Sequence, residues 1–219
     1  LGNTSGNDTF VGSVIADGGG ESTLTPGDIL DGGVGTDVLN VSISGAATAA
    51  VTTSAFTTTN IETLRITNFE TTTKLNTINT SLMTGLTSID LNSSGSDGDT
   101  TVTGIAGLVP VSMQNGNQDL TLTYAATVLD GTTDVQKLTL SNQTAGTFTV
   151  ADSSGSDTPE TLAVTSSGGK NTLTLAAANN HTKVTFDGDQ KLVLNINDTN
   201  NKTKTIDGSD STGGSTISG

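Results

Sequence analysis

Nine residues near the start of the chain combine glycines and an aspartate at a spacing that suits a metal ion. The run Gly32-Gly33-Val34-Gly35-Thr36-Asp37-Val38-Leu39-Asn40 matches the pattern Gly-Gly-x-Gly-x-Asp-x-apolar-x at every specified position. Glycines adopt backbone conformations that other residues avoid, so carbonyl oxygens can turn towards an ion. Ca²⁺ takes about six to eight oxygen ligands in flexible geometry. The pattern therefore predicts a calcium site formed by Gly32, Gly33, Gly35 and Asp37.

A partial copy of the same pattern lies upstream. Ser5-Gly6-Asn7-Asp8-Thr9-Phe10 matches the latter half, with Gly6, Asp8 and an apolar residue in the expected order. Asp8 and Asp37 are 29 residues apart, so the copies are not tandem nonapeptides. We expect further carboxylates from Asp28 and Asp31, with Asp17 and Glu21 as weaker candidates. The alternative interpretation is a glycine-rich hairpin turn that Asp37 caps without a metal.

The composition narrows the class of protein. The chain has 219 residues, a net charge of -14, only 8 Lys and Arg, and no Cys. So few cations argue against a nucleic-acid partner, because phosphates could not be neutralised. No window approaches the roughly 18 apolar residues of a membrane span. Without disulfides, a secreted chain needs another source of stability, and calcium together with repeated backbone pairing is the obvious one.

Short stretches with alternating polar and apolar residues fill most of the chain and predict β-strands. About one residue in five is Thr, which is β-branched and favours strands, and aromatic residues make up only 3%. Turn clusters such as Asp130-Gly131 and Gly168-Gly169 separate the stretches. The predicted strands are 38–44, 61–67, 87–92, 109–114, 119–124, 135–141, 146–151, 160–165, 171–176, 182–186, 191–196 and 203–206. Residues 71–86 are the most helix-tolerant, and 46–56 are ambiguous.

The thin aliphatic content and the loose repeat favour an all-β fold of the β-solenoid type, a parallel β-helix or β-roll, with a calcium-binding N-terminal segment. A β-sandwich is the alternative, although it needs bulkier inward side chains. We divide the chain into a Gly/Asp-rich segment, residues 1–45, and a Thr-rich strand-repeat region, residues 46–219, continuous with the first. The ends of the chain lie in Gly/Ser/Thr-rich sequence, so we expect a fragment, a processed product, or the ordered part of a longer protein.

Three blocks resemble the RTX-type bacterial surface-layer and β-strand-repeat proteins. They are Ser5–Phe10, the stretch from Leu24 to Val41, and Thr59-Asn60-Ile61-Glu62-Thr63-Leu64-Arg65-Ile66. Together they cover roughly the first third of the chain. The resemblance implies export by a type I secretion system, folding triggered by extracellular calcium, and assembly at the cell surface.

These observations lead to one expected function and two alternatives. We expect a non-enzymatic extracellular structural protein, a calcium-stabilised subunit of a self-assembling surface layer or filament. Its partners would be copies of itself, with cell-surface polysaccharide as a further candidate. The alternatives are a calcium-rigidified adhesin or extender segment of a large RTX surface protein, and the RTX tail of a secreted hydrolase.

Catalytic chemistry finds little support in the sequence. His181 is the only histidine and the chain has no Cys, so nothing could complete a zinc site. A Ser-His-Asp triad would have to use His181, and no Ser lies in a nucleophile-elbow sequence. We expect His181 to be an exposed loop residue. The clusters Asp97-Gly98-Asp99 and Asp187/Asp189 are interpreted as solvated turns, with calcium binding as the alternative. The run Asp207-Gly208-Ser209-Asp210 resembles the start of another calcium site, but the residues after it break the pattern.

Overall fold

A computed structural model describes residues 5–15, 22–45, 51–53, 55–70, 76–94, 99–176, 179–198 and 201–219. Every regular element within these ranges is a β-strand. In chain order they are β1 (Thr9–Ile15), β2 (Ile29–Asp31), β3 (Val38–Ser44), β4 (Val51–Thr52), β5 (Thr57–Thr59), β6 (Thr63–Asn68), β7 (Asn76–Asn79), β8 (Met83–Thr84), β9 (Ser88–Asn92), β10 (Thr100–Ile105), β11 (Val111–Gln114), β12 (Leu120–Tyr124), β13 (Val135–Ser141), β14 (Thr147–Asp152), β15 (Thr161–Ser167), β16 (Asn171–Leu175), β17 (Lys183–Gly188), β18 (Leu192–Ile196), β19 (Thr205–Asp207) and β20 (Ser215–Ser218).

The strands form three parallel sheets, and together the sheets make a β-solenoid. The nine-stranded sheet runs β1-β3-β6-β9-β11-β13-β15-β17-β19, and the eight-stranded sheet runs β20-β18-β16-β14-β12-β10-β7-β4. A short third sheet, β2-β5-β8, accompanies the first rungs. Each strand pairs with the strand one coil later, for example Thr9 with Val38, or Lys183 with Thr205. This parallel stacking confirms the solenoid and makes the β-sandwich alternative wrong.

Strand alternation places columns of apolar side chains inside the coil. Leu39, Leu64 and Ile89 lie opposite one another on β3, β6 and β9, and all are fully buried. Val111, Leu138, Val164 and Phe186 continue that column. Each buried aliphatic side chain contributes about 1.5–3 kcal/mol, as an upper estimate. Because every rung supplies only a few such residues, the core is narrow and mostly aliphatic, as the composition predicted.

Most of the predicted strands are confirmed. The correspondence is closest at β3, β13 and β16, where the alternation is cleanest. The prediction omitted β1, β2, β5, β7, β10 and β20, and it did not recognise the two-residue strands β4 and β8. Within the helix-tolerant stretch 71–86, the described residues 76–86 contain β7 and β8, while 71–75 lie outside the described residues. The Gly/Asp-rich segment and the Thr-rich region share one sheet, since β1, β3 and β6 are consecutive in it.

Asparagines mark one corner of the coil. Asn115 and Asn142 have φ angles of 53° and 54°, a left-handed conformation that Asn tolerates better than most residues. Their side-chain amides form a ladder: Asn142 donates to Asn115 at 3.0 Å, and Asn115 donates to Asn92 at 3.1 Å. Identical side chains stacked on successive rungs satisfy one another in this way.

The expectation that His181 is exposed is wrong. Its side chain is only 2% exposed, and Nδ1 lies 2.6 Å from the carbonyl oxygen of Pro159. Burial lowers the pKa of His181, an effect that the hydrogen bond to Pro159 and the nearby Glu160 carboxylate oppose. The ring is therefore part of the packed interior between two rungs. The described residues hold no helix long and apolar enough to cross a membrane.

Candidate metal centre

The partial copy of the motif lies directly against the full copy, one rung away. Thr9 pairs with Val38, so Asp8 and Asp37 occupy equivalent positions before their strands. The Asp8 N–H donates to Asp37 Oδ1 at 2.6 Å, and the Thr36 N–H donates to Asn7 Oδ1 at 2.9 Å. The separation of 29 residues in sequence is thus one full turn of the coil. Two half-sites that looked remote are neighbours.

Glycine is required at two positions of the motif because other chain segments approach its backbone. A Cβ atom on Gly35 would lie 2.5 Å from the Gly6 carbonyl oxygen, and φ at Gly35 is +148°. A Cβ atom on Gly32 would lie 1.9 Å from the Asn60 carbonyl oxygen and 2.5 Å from Asp37 Oδ2. No side chain fits at either position, and the missing side chain lets two oxygen atoms converge beside Gly32.

The Asp37 carboxylate is buried, and one of its two oxygens has no hydrogen-bond partner. It is 0% exposed, and its Oδ1 is satisfied by the Asp8 N–H. Oδ2 is buried and has no hydrogen-bond partner. A buried carboxylate oxygen without a partner is expensive in free energy unless a cation or a proton compensates it. The one ion pair among the described residues, Arg65–Asp90, does not involve Asp37.

Glu62 occupies the next rung of the same column, and sequence reasoning missed it as a site residue. Its Oε2 accepts the Asp37 N–H at 2.7 Å, while the Asp37 carbonyl accepts the Glu62 N–H at 3.1 Å. Glu62 belongs to the block Thr59–Ile66 that the sequence analysis had already compared with surface-layer proteins, and it follows Asp37 by 25 residues. That interval could be read as one turn of the coil only if the number of residues in each turn were known.

Asp31 is held in the turn that precedes the glycines. Its Oδ1 accepts the Gly33 N–H at 3.1 Å and the Asn60 side-chain amide at 3.1 Å. The hydrogen bond from Asn60 lowers the pKa of Asp31 most, and bonds from Thr59 and Gly33 act in the same direction against partial desolvation. Asp31 is therefore ionised at neutral pH beside the glycine turn.

Asp28 has a different role from its neighbour. Its Oδ2 accepts the Thr25 N–H at 2.6 Å and the Thr25 hydroxyl at 3.1 Å, which closes a local turn. It also borders a small cavity lined by Phe10, Leu24 and Leu39. The weaker candidates Asp17 and Glu21 lie outside the described residues, as does Asp97. Across the described ranges, no three His, Cys, Asp or Glu side chains come together as a ready-made metal cluster.

A similar Asp–Glu arrangement recurs further along the coil. The Asp134 N–H donates to Glu160 Oε2 at 2.8 Å, and Asp134 Oδ2 is also without a partner. The preceding Leu129-Asp130-Gly131 resembles Leu30-Asp31-Gly32. Asp134 is only half-buried, however, and the glycine pair that follows Asp31 is absent there. Complete burial of the carboxylate therefore sets Asp37 apart.

The C-terminal Asp-Gly cluster has a packing explanation. A Cβ atom on Gly208 would lie 2.0 Å from the Phe186 ring, so glycine makes room for that ring. Asp207 Oδ1 accepts the Ser209 N–H at 3.1 Å, and this bond is the main reason why the pKa of Asp207 is lowered. Asp187 and Asp189 are exposed.

Comparisons with known proteins add no relative: no family model, no curated protein and no solved structure matches this chain.

Proposed function

We propose that this chain is an extracellular structural protein whose first rungs are stabilised by calcium, and that it is a subunit of a self-assembling surface layer or filament. It would act at the bacterial cell surface after secretion, without catalysis. The observation that carries the calcium proposal is the fully buried Asp37 carboxylate, whose Oδ2 has no partner. Its support is chemical, because a hard cation is the natural companion of that oxygen.

The donor set beside Asp37 suits Ca²⁺. Asp37 would supply Oδ2, and the Asn60 carbonyl oxygen faces the same space beside Gly32. The carbonyls of the glycine turn, Asp31 and the Gly6–Asp8 half-copy are the other oxygens at hand. Oxygen ligands from carboxylates and backbone carbonyls are the set that Ca²⁺ prefers, whereas soft metals would look for Cys or His. Bound calcium would supply positive charge that offsets the stacked acidic residues.

The surface supports the assembly proposal. Charged residues form only 14% of the chain. Outward threonines lie opposite one another on neighbouring strands, for example Thr121 with Thr149 and Thr139 with Thr165. Exposed strand edges with few charges are prone to pair with other chains. The extender alternative keeps one supporting observation, since a parallel stack of rungs can also serve as a spacer.

A calcium titration of thermal stability tests the metal proposal. Wild-type protein should become more stable as calcium rises, by about 2.7 kcal/mol when free calcium reaches about 100 times its dissociation constant. Asp37→Asn should lose this gain, because the amide keeps an acceptor for the Asp8 N–H but removes the charge. In the absence of calcium, Asp37→Asn should be at least as stable as wild type, since the uncompensated charge is gone.

Asp130→Asn is the matched control, because it removes one exposed carboxylate of a turn. It should respond to calcium as wild type does. Equal calcium responses in wild type and Asp37→Asn would contradict the site. Electron microscopy and light scattering with and without calcium test assembly: ordered sheets or fibres support the layer, while monomers that only gain stability support the extender.

A further inference from the structure

The two large faces of the coil carry different chemistry. On the eight-stranded sheet, five outward threonines lie opposite one another on successive strands, and we call them the threonine column: Thr52, Thr77, Thr101, Thr121 and Thr149. Next to this column lies a second uncharged row: Asn79, Thr103, Thr123 and Ala151. Neither row contains a charged side chain, although the chain as a whole carries -14.

The outer face of the nine-stranded sheet is charged by comparison. Arg65 and Asp90 form an ion pair at 3.3 Å on neighbouring strands, and Asp90 also accepts the Ser112 hydroxyl at 2.7 Å. Lys137 and Lys183 point outward on β13 and β17. The charges on this face attract or repel a partner according to the partner's own charge. The uncharged threonine column has no such electrostatic selectivity.

Several threonine hydroxyl groups in these two rows are available for contacts outside the chain. The side chains of Thr121, Thr123 and Thr149 make no hydrogen bond to the described protein atoms. Thr101 belongs to the same column, but it is only 6% exposed and its hydroxyl oxygen is buried, so it does not offer such a contact. The carboxylate of Asp119, which directly precedes β12, is tied into the sheet because it accepts the Thr147 N–H at 2.6 Å. The face thus combines methyl groups and unused hydroxyls at one regular spacing.

We propose that the outer face of the eight-stranded sheet is the surface on which a second copy of this chain docks, face to face. The inference rests on the proposed self-assembly and names the surface responsible. Two copies that each carry -14 repel one another, so contact is favoured where both present no charge. β-Branched side chains on two flat sheets interdigitate at a separation of roughly 10 Å.

The area of this face is consistent with a weak contact between two copies of the chain. Eight strands at about 4.8 Å and roughly five residues per strand at about 3.4 Å give on the order of 600 Å² per copy. A pair would therefore bury about 1,200 Å² in total, the lower end of specific interfaces. A weak contact of this kind becomes effective when it repeats across a lattice, where each copy is held by several neighbours.

The test compares matched pairs of threonines on the two faces. Thr121→Lys with Thr149→Lys places charges on adjacent rungs of the threonine column. Thr139→Lys with Thr165→Lys places the same charges on adjacent rungs of the nine-stranded face. Lysine is chosen because it adds no calcium ligand. Circular dichroism melting checks that both fold, and the single variants Thr121→Lys and Thr139→Lys replace them if a double variant does not.

Assembly of the full chain is followed by sedimentation and light scattering with and without calcium. The Thr121/Thr149 variant should need about tenfold or more protein to assemble, because like charges would oppose each other across the contact. The Thr139/Thr165 variant should assemble within about twofold of wild type. If both variants assemble like wild type, or both fail equally, the docking face is wrong while self-assembly stands. If wild type itself never assembles, the assembly proposal fails and this inference fails with it.

Discussion

Replacing Gly32 by Ala tests whether the close packing of the first rungs is as tight as the structure indicates. The added Cβ would lie 1.9 Å from the Asn60 carbonyl oxygen, 2.5 Å from Asp37 Oδ2 and 2.8 Å from Asp37 Cβ. Backbone on one side and a buried side chain on the other leave little room for relaxation. Overpacking of this kind costs about 1–3 kcal/mol, and we expect a value near the upper limit because the nearest atom belongs to the backbone.

Gly6→Ala is the control within the same site. Nothing lies within 4 Å of a Cβ atom at Gly6, so the change should shift stability by less than about 0.5 kcal/mol. Urea unfolding followed by circular dichroism measures both variants in calcium-free buffer, which separates packing from ion binding. Because neighbouring rungs carry most of a solenoid's cooperativity, the loss can appear as early melting of the first rungs. Equal midpoints for Gly32→Ala and wild type would refute the packing argument.

Two further predictions concern buried polar groups away from the site. The pKa of His181 is lowered in the folded state, so the unfolded chain takes up its proton first, near pH 6.5. Stability should therefore fall as pH drops below about 6.5, by at most about 1.4 kcal/mol per pH unit from this group, and the slope should diminish in His181→Gln. The Tyr124 hydroxyl donates to Gln136 Oε1 at 2.6 Å inside the core. Tyr124→Phe should cost about 1–2 kcal/mol because that acceptor loses its donor, whereas Thr123→Val on the outer face of the same strand should change urea stability by less than about 0.5 kcal/mol.

Local sequence pattern was sufficient to predict the type of element at most positions. Stretches such as Leu120-Thr121-Leu122-Thr123 alternate cleanly, and their apolar members are buried while the threonines face outward. β1 escaped the prediction because Gly12 and Ser13 interrupt its alternation, and β8 escaped because two residues show no period. At β1 and β8 the strand forms because the backbone pairs with strands on adjacent rungs, and this pairing does not depend on local propensity.

In the candidate site, too, some residues could be predicted from the sequence and others could not. Gly32, Gly35, Asp37 and the half-copy at Asp8 could be named from the motif alone, because their chemistry is local. Glu62 could not be named, although its carboxylate bonds to the Asp37 amide. Likewise, a single histidine that follows two asparagines looks like a loop residue in the sequence, and only the packing of two rungs buries His181.

The sequence by itself determined that this chain forms short strands with a thin aliphatic interior, and its glycine-rich run predicts a calcium site. Alternation and turn residues act over a few positions, so they can be recognised without knowing what lies opposite. Only the tertiary structure decided which strands stack, because successive rungs differ in length, from 20 residues between Thr100 and Leu120 to 29 between Thr9 and Val38. The number of residues in each rung depends on its turns. This number sets the register that places Asp8 beside Asp37 and aligns the threonine column. Residues far apart in the chain become neighbours through backbone pairing, which no local pattern encodes.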